Sequence, residues 1–352
     1  MRNRSDPEMR WAAIWNEGWP VLEPSTSLDA DSFLAEISLL LEFIVPTARI
    51  RKKPLRLWQG ASDPDTAIAL YLMPNYALRL VHGEADLQTG DDFARPGETI
   101  TLRYRACARG RKDTLDLRNI DRDVQTVLRA ACQQSVCLSQ AMPRDLRFLG
   151  ICHIAAIAPH GVGATDLPGL AAGTEVLTAS GPRPVEALRV GDDVVTADGS
   201  ASPLRWIQRR PYLCLGRRAP IRLRAPYFGL LSDICVTPET RILRTGPSVE
   251  YVCGTDAVLV QARDLALNSC ARRDQSQPTR MVYHLMLDDH ACVMADRCPV
   301  ETALLADVIK AEDMAPHPHL SDTDKTHFVP SLDRSMAHAL ASVDASAQRG
   351  RR

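Results

Sequence analysis

The spacing of apolar and polar positions divides the chain into stretches of different period. In residues 1–50, Trp11, Ile14 and Trp15 fall on one helical face. A second set, Phe33, Leu34, Ile37, Leu40, Leu41 and Ile44, repeats at three and four residues, the spacing of an amphipathic helix. Asp6-Pro7 reads as an N-cap followed by a first-turn proline, Asp29 or Asp31 as a second cap, and Pro46 as a stop. The spacing therefore predicts an N-terminal helical segment over 1–50. Residues 51–160 change to period two. The runs 66–72, 77–82 and 98–106 are short and alternating, with Pro74-Asn75, Thr89-Gly90-Asp91 and Arg109-Gly110 between them. That is the signature of antiparallel strands. The apolar run 148–158 reads as a central strand, and an antiparallel β-sandwich-like domain is the natural container.

Three glycines and a proline in 160–169 read as a linker, set at 161–168. A second block of short strands occupies 169–311, with Ala197-Asp198-Gly199 as a hairpin turn. From 312 to 352 the chain turns to Pro, His, Ser, Asp and Ala, and a flexible tail with a weak helix near 334–344 is expected. The predicted class is mainly β: N-terminal helices plus a sandwich-like domain, a second all-β domain and a disordered C-terminal tail.

Composition sharpens this picture only in part. With 352 residues, 45% hydrophobic and 24% charged, the chain can fill more than one core. A net charge of −1 supplies no global field toward nucleic acid or anionic lipid. The arginines at 205, 209, 210, 217, 218, 222 and 224 form the one local positive excess. Their alternation in Ile221-Arg-Leu-Arg reads as the solvated face of strands, so no nucleic-acid partner is favoured. A protein partner stays open and unnamed.

The ten cysteines are dilute, and neither Cys132/Cys137 nor Cys292/Cys298 has the gap of a zinc knuckle. They read as small buried hydrophobes. Asp63, Asp65, Asp91 and Asp92 are weighed as calcium ligands and read as turn carboxylates. No cofactor or metal is expected. The first residues carry no apolar signal region, and no apolar run reaches the roughly 20 residues needed to cross a bilayer. A cytoplasmic location follows by default, with non-classical secretion left open.

The segment from Gly169 reads Gly-Leu-Ala-Ala-Gly-Thr-Glu-Val-Leu-Thr-Ala-Ser-Gly-Pro-Arg-Pro-Val-Glu-Ala-Leu-Arg-Val-Gly-Asp-Asp-Val-Val-Thr-Ala-Asp-Gly. It resembles the opening of the Hint domain shared by hedgehog proteins and inteins, and more narrowly the bacterial Hint proteins of alphaproteobacterial type. The resemblance continues through Pro203-Leu-Arg-Trp-Ile, Val236-Thr-Pro-Glu-Thr-Arg, Tyr283-His-Leu-Met-Leu-Asp-Asp-His and Pro299-Val-Glu-Thr, to about residue 305.

That resemblance implies self-processing chemistry. A cysteine or serine at the first position attacks the preceding carbonyl, and a Thr-x-x-His element polarises the peptide and moves its proton. This chain has Gly169 at the nucleophile position, Thr237 where the family has threonine, and Thr240 where it has histidine. Glycine cannot attack, and a threonine hydroxyl is no base near neutral pH. The expected function is therefore a Hint-type module inactive for autocleavage, serving a structural or interaction role. Two other readings are kept. One is autoprocessing or splicing through an unconventional nucleophile such as Thr174 or a distant cysteine. The other is carbohydrate or surface binding through the N-terminal β domain. His284, Asp288 and His290 share parity if they lie on one strand. They are the weaker catalytic candidates, as an oriented histidine or a two-His, one-carboxylate metal set. The plainer reading pairs the two histidines with backbone carbonyls.

Overall fold

The protein is described here by a computed structural model covering residues 11–17, 19–22, 29–47, 53–108, 110–131, 133–145, 147–162, 167–266, 270–312 and 328–349. It divides into two compact units, Met1–Ala164 and Thr165–Arg352. Both are built mainly of antiparallel strands.

In the first unit a seven-stranded sheet runs in the order Val124–Ala130, Asp113–Asn119, Thr99–Cys107, Glu36–Ile44, Cys152–Ala158, Ala13–Asn16, Trp19–Leu22. A four-stranded meander, Leu55–Gln59, Ala69–Leu72, Leu78–His82 and Ala85–Gln88, shares its core. Leu39, Phe43, Tyr104 and Leu115 from the larger sheet meet Leu57, Trp58, Leu70 and Leu80 from the smaller. This is a sandwich, as the alternating runs predicted.

The helices expected in 1–50 are absent from the described residues of that stretch, which form three strands, Ala13–Asn16, Trp19–Leu22 and Glu36–Ile44. The reason is burial on both faces. Ile37, Leu39, Leu41 and Phe43 enter the sandwich core, while Ser38 and Leu40 on the other face are also buried. A strand covered on both sides loses its alternation, and its apolar positions then mimic helical spacing. Asp29 does act as a local cap, but of a turn: its carboxylate accepts from the Asp31 N–H and the Ser32 hydroxyl. Asp6-Pro7 lies outside the described residues.

A buried polar chain joins the two sheets. The His82 ring nitrogen Nδ1 lies 3.0 Å from the Tyr104 hydroxyl, which donates to Asp113 at 2.7 Å. Asp113 also accepts from the Cys107 N–H and the Gln133 amide. Burial pushes the His82 imidazole down to about 4. Burial also raises the Asp113 carboxyl above its usual range and, with Asp113 beside it, raises the Tyr104 phenol. Charging any of these groups away from water is costly.

The second unit holds two sheets. One runs Trp206–Leu213, Thr279–Met286, Leu170–Ala171, Ile234–Val236, Ile221–Leu223, Ala271–Arg273. The other runs Ala201–Pro203, Asp193–Val195, Glu175–Thr178, Cys292–Ala295, Cys298–Glu301, Arg241–Thr245, Ala257–Gln261, with Gly181–Pro184 paired to Glu175–Thr178. Val176, Val194, Val236, Ile242, Val260, Leu285 and Val300 fill the space they enclose. The turn Val185–Ala187 ends near Gly191, whose φ of 94° only glycine adopts cheaply. The hairpin at Asp198 joins Asp193–Val195 to Ala201–Pro203.

Two boundary expectations change. Leu167, assigned to the linker by composition, is buried with Ala303 and Val308. Residues 163–166 lie outside the described part. The expected weak helix is present as Arg334–Arg349, but Ala337 and Leu340 belong to the second core. A stretch poor in large apolar residues still docks, because alanines at helical spacing allow close approach. Residues 313–327 are outside the described part.

Candidate functional site

The first residues of the second unit enter a slot between two strands. Leu170 pairs with Val236 on one side and with Tyr283 on the other. That register carries Gly169 alongside His284 and the turn after Ile234–Val236. The sequence Thr237-Pro-Glu-Thr240 makes that turn, with the Thr240 N–H bonded to the Thr237 carbonyl at 3.0 Å. Both threonines are fully buried.

The Pro168–Gly169 peptide is held at both ends. The Gly169 N–H donates to the Thr240 hydroxyl at 2.9 Å. The Pro168 carbonyl lies 2.8 Å from His284 Nδ1. A carbonyl only accepts, so Nδ1 carries the proton. The Thr237 hydroxyl donates to the Leu167 carbonyl at 2.9 Å and sits 2.8 Å from the Thr240 hydroxyl. With the Thr237 proton on Leu167, the Thr240 hydroxyl has two acceptors in reach, the Thr237 oxygen at 2.8 Å and the Gly169 carbonyl at 3.3 Å. The result is a buried network that joins the Gly169 N–H, two hydroxyls and the Leu167 and Gly169 carbonyls. Thr237 also donates its own N–H to the Gly169 carbonyl at 3.0 Å.

Chemically, this arrangement polarises one peptide bond. The imidazole N–H points at the oxygen that would become an oxyanion if the Pro168 carbonyl were attacked. Gly169 brings no side chain to that carbonyl, and the space beside its Cα is filled. A Cβ built on Gly169 would lie 2.5 Å from Val282 Cγ1 and 2.9 Å from His284 Nδ1. Real Cβ atoms do not approach so closely, so a side chain at 169 needs Val282 to give way.

The other candidates stand elsewhere. The strand carrying His284 ends at Met286, so His284, Asp288 and His290 do not share one strand face. Asp288 pairs with exposed Arg205 at 2.6 Å. His290 Nε2 is 3.0 Å from Glu301, which also takes Arg241 at 3.1 Å. The metal set imagined from parity is therefore not assembled, and among the described residues no cluster of three His, Cys, Asp or Glu side chains has metal-holding geometry. The Thr174 hydroxyl donates to the Ala171 carbonyl at 2.7 Å inside a turn. Asp63 accepts from the Asp65 N–H, Asp91 from Asn75, and Asp92 faces Arg95, so these carboxylates serve turns.

Sequence reasoning named Gly169, Thr237 and Thr240 but missed Val282 and the Leu167 carbonyl. Val282 sits two residues before His284 on the same strand face. That parity was the available signal. Nothing in the sequence pointed to Leu167.

Residues 168–307 match the family model for the Hint domain. With the motif series, this identifies residues 168–307 as a Hint domain. Solved structures similar to the chain include a class 3 split intein, AceL NrdHF, and the MchDnaB-1 intein. The first is 16% identical, covers 38% of this chain and 97% of its own, and has a TM-score of 0.26. The second is 18% identical, covers 38% and 98%, and has a TM-score of 0.25. Arcelin-5, a lectin-like defense protein from Phaseolus vulgaris, is 9% identical over 37% of this chain and 63% of its own, with a TM-score of 0.24. None of the curated proteins matches. Among the described residues, no helix is long and apolar enough to cross a membrane.

Proposed function

We propose that the Hint domain of this chain does not carry out the first step of Hint chemistry and acts as a structural or interaction module. One observation carries the reading: the nucleophile's position is Gly169, and the volume a side chain would need is taken by Val282 and His284. In the active reaction a thiol or hydroxyl at 169 would add to the Pro168 carbonyl. The carbon–nitrogen bond to residue 169 would break, and the proton would pass from the nucleophile to the released amine. Here there is nothing to add, and Thr240 holds the amide N–H without being a base.

The buried cysteines offer no substitute. Burial pushes the thiols of Cys107 and Cys235 up to about 11, and those of Cys152, Cys214 and Cys298 up to about 12. A thiol protonated at neutral pH is a poor nucleophile.

The test is the mass of the full chain followed over hours, with and without dithiothreitol or hydroxylamine. A stable mass of 38.8 kDa supports the reading. Fragments from a cut between Pro168 and Gly169 would overturn it.

A further inference from the structure

We propose that the edge strand Ala257–Gln261 and the helices Pro247–Cys253 and Ala262–Leu265 form a peptide-docking groove. It is filled here by the chain's own residues 328–343. It fits a partner segment of the same form, an extended stretch leading into a capped amphipathic helix. This rests on the reading of the domain as an interaction module and names its interaction surface.

The groove belongs to the Hint domain and its occupant does not. The family match ends at residue 307, whereas the occupant begins at 328. Ala257–Gln261 is the last strand of its sheet, paired on one side only, with Arg241–Thr245. Its open side is capped in parallel at Leu259, which donates to the Pro330 carbonyl at 2.8 Å and accepts from the Leu332 N–H at 2.9 Å. This single bridge uses the main-chain bonds of strand addition, which give affinity without demanding a particular sequence.

Side chains then fix the register. Arg241 Nε donates to the Ser331 hydroxyl at 2.9 Å. His290 Nδ1 accepts from the Phe328 N–H at 3.3 Å, and the two rings lie 5.4 Å apart.

The following helix, Arg334–Arg349, packs on the two short helices. Ala337, Leu340 and Ala341, at i, i+3 and i+4, are its buried face, the anchor pattern of a helix laid in a groove. Val252, Cys253 and Ala266 are partly buried apolar residues of the same cluster. The segment brings its own start signal: Asp333 accepts from the Met336 N–H at 2.9 Å and the Ser335 hydroxyl at 2.8 Å. A segment with its own cap can fold as it binds. It belongs to the same chain as the groove, so a free partner must compete with an intramolecular occupant. A partner would therefore meet an occupied groove until the tail is released.

The experiment uses the full chain with a specific protease site inserted within 313–327. After cutting, a labelled synthetic peptide of residues 328–349 is added and its anisotropy followed. The cut chain should exchange its fragment for the labelled peptide and bind it about tenfold or more tightly than the uncut chain. Peptide carrying Leu340→Asp should not bind. Retention of the fragment against roughly a hundredfold excess of peptide, or loss of the domain's cooperative melt when the fragment leaves, would overturn the proposal and make 328–343 a fixed part of the core. A dimer of the uncut chain that exchanges tails would overturn the partner reading. Breakage at 168/169 is read by mass in the same sample. It would strike the inert reading and leave the groove intact.

Discussion

Two buried histidines do different work. His82, in the N-terminal sandwich, faces a phenol that hands its hydrogen bond to a carboxylate. Every member of that chain is a side chain joining one sheet to the other. His284, in the Hint domain, faces a main-chain carbonyl whose peptide is also gripped at its nitrogen. Both residues are nearly inaccessible. Burial alone therefore does not mark a site. What distinguishes His284 is that its proton is aimed at an atom where charge would develop in a reaction.

The largest effect should come from removing the carboxyl group at the centre of the first network. Asp113→Ala takes away the acceptor of the Cys107 N–H, the Tyr104 hydroxyl and the Gln133 amide. Each stranded buried donor costs about 1–3 kcal/mol, so a loss of roughly 3 kcal/mol is expected in urea unfolding. A loss under about 1 kcal/mol would show that this chain is not what holds the sheets together.

A pH series tests the His82 network further. His82 is lowered to about 4 when folded, from 6.5 when unfolded. The unfolded chain therefore takes the proton first. The contribution is fully present above about 6.5 and is lost as pH falls toward 4. Between pH 7 and 5 it should amount to roughly 2 kcal/mol. Asp113, raised when folded, works the other way, adding stability as pH falls. The comparison is therefore between the wild type and His82→Leu, each melted across this range. The wild type should lose more stability on acidification. Parallel curves would remove His82 as the cause.

Gly169→Cys alone should destabilise by about 1–3 kcal/mol, because its Cβ would meet Val282 Cγ1 at 2.5 Å. Val282→Ala added to it should recover part of that loss. With Thr240→His as well, the nucleophile and base return to a peptide already polarised by His284. Thiol-dependent release at residue 169 is then expected in the mass spectrum. If the triple variant folds and stays intact, the slot is not the equivalent of the family's site.

The sequence made the period-two strands legible because Leu78–His82 alternates buried and half-buried positions, and because Thr99–Cys107, though buried on both faces, keeps its alternation by placing Arg103 and Arg105 on the second one. It misled over Glu36–Ile44, where both faces are covered and Leu39, Leu40 and Leu41 are all buried. Of the site, Gly169, Thr237 and Thr240 were readable from their motifs. His284 was readable only as one histidine among several, since its partner Pro168 lies 116 residues away. Val282 was legible only as sharing a strand face with His284, because its closeness to Gly169 depends on the register of the slot. The packing of Ala337 and Leu340 was hidden by a composition that reads as a free tail.

The smallest effect tests whether the network at Gly169 is held by its hydroxyl or only by its shape. Thr240→Val keeps the branched volume in a fully buried position but removes the acceptor of the Gly169 N–H and the hydroxyl that faces Thr237 and the Gly169 carbonyl. An orphaned buried amide should cost about 1 kcal/mol or somewhat more. Thr240→Ser, which keeps the oxygen, should cost less than the valine variant despite the methyl it leaves empty. Amide exchange at Gly169 gives the local reading: faster in Thr240→Val, close to wild type in Thr240→Ser. Equal exchange in both would mean that the strand pairing of Leu170 holds this peptide, and that Thr240 contributes packing alone.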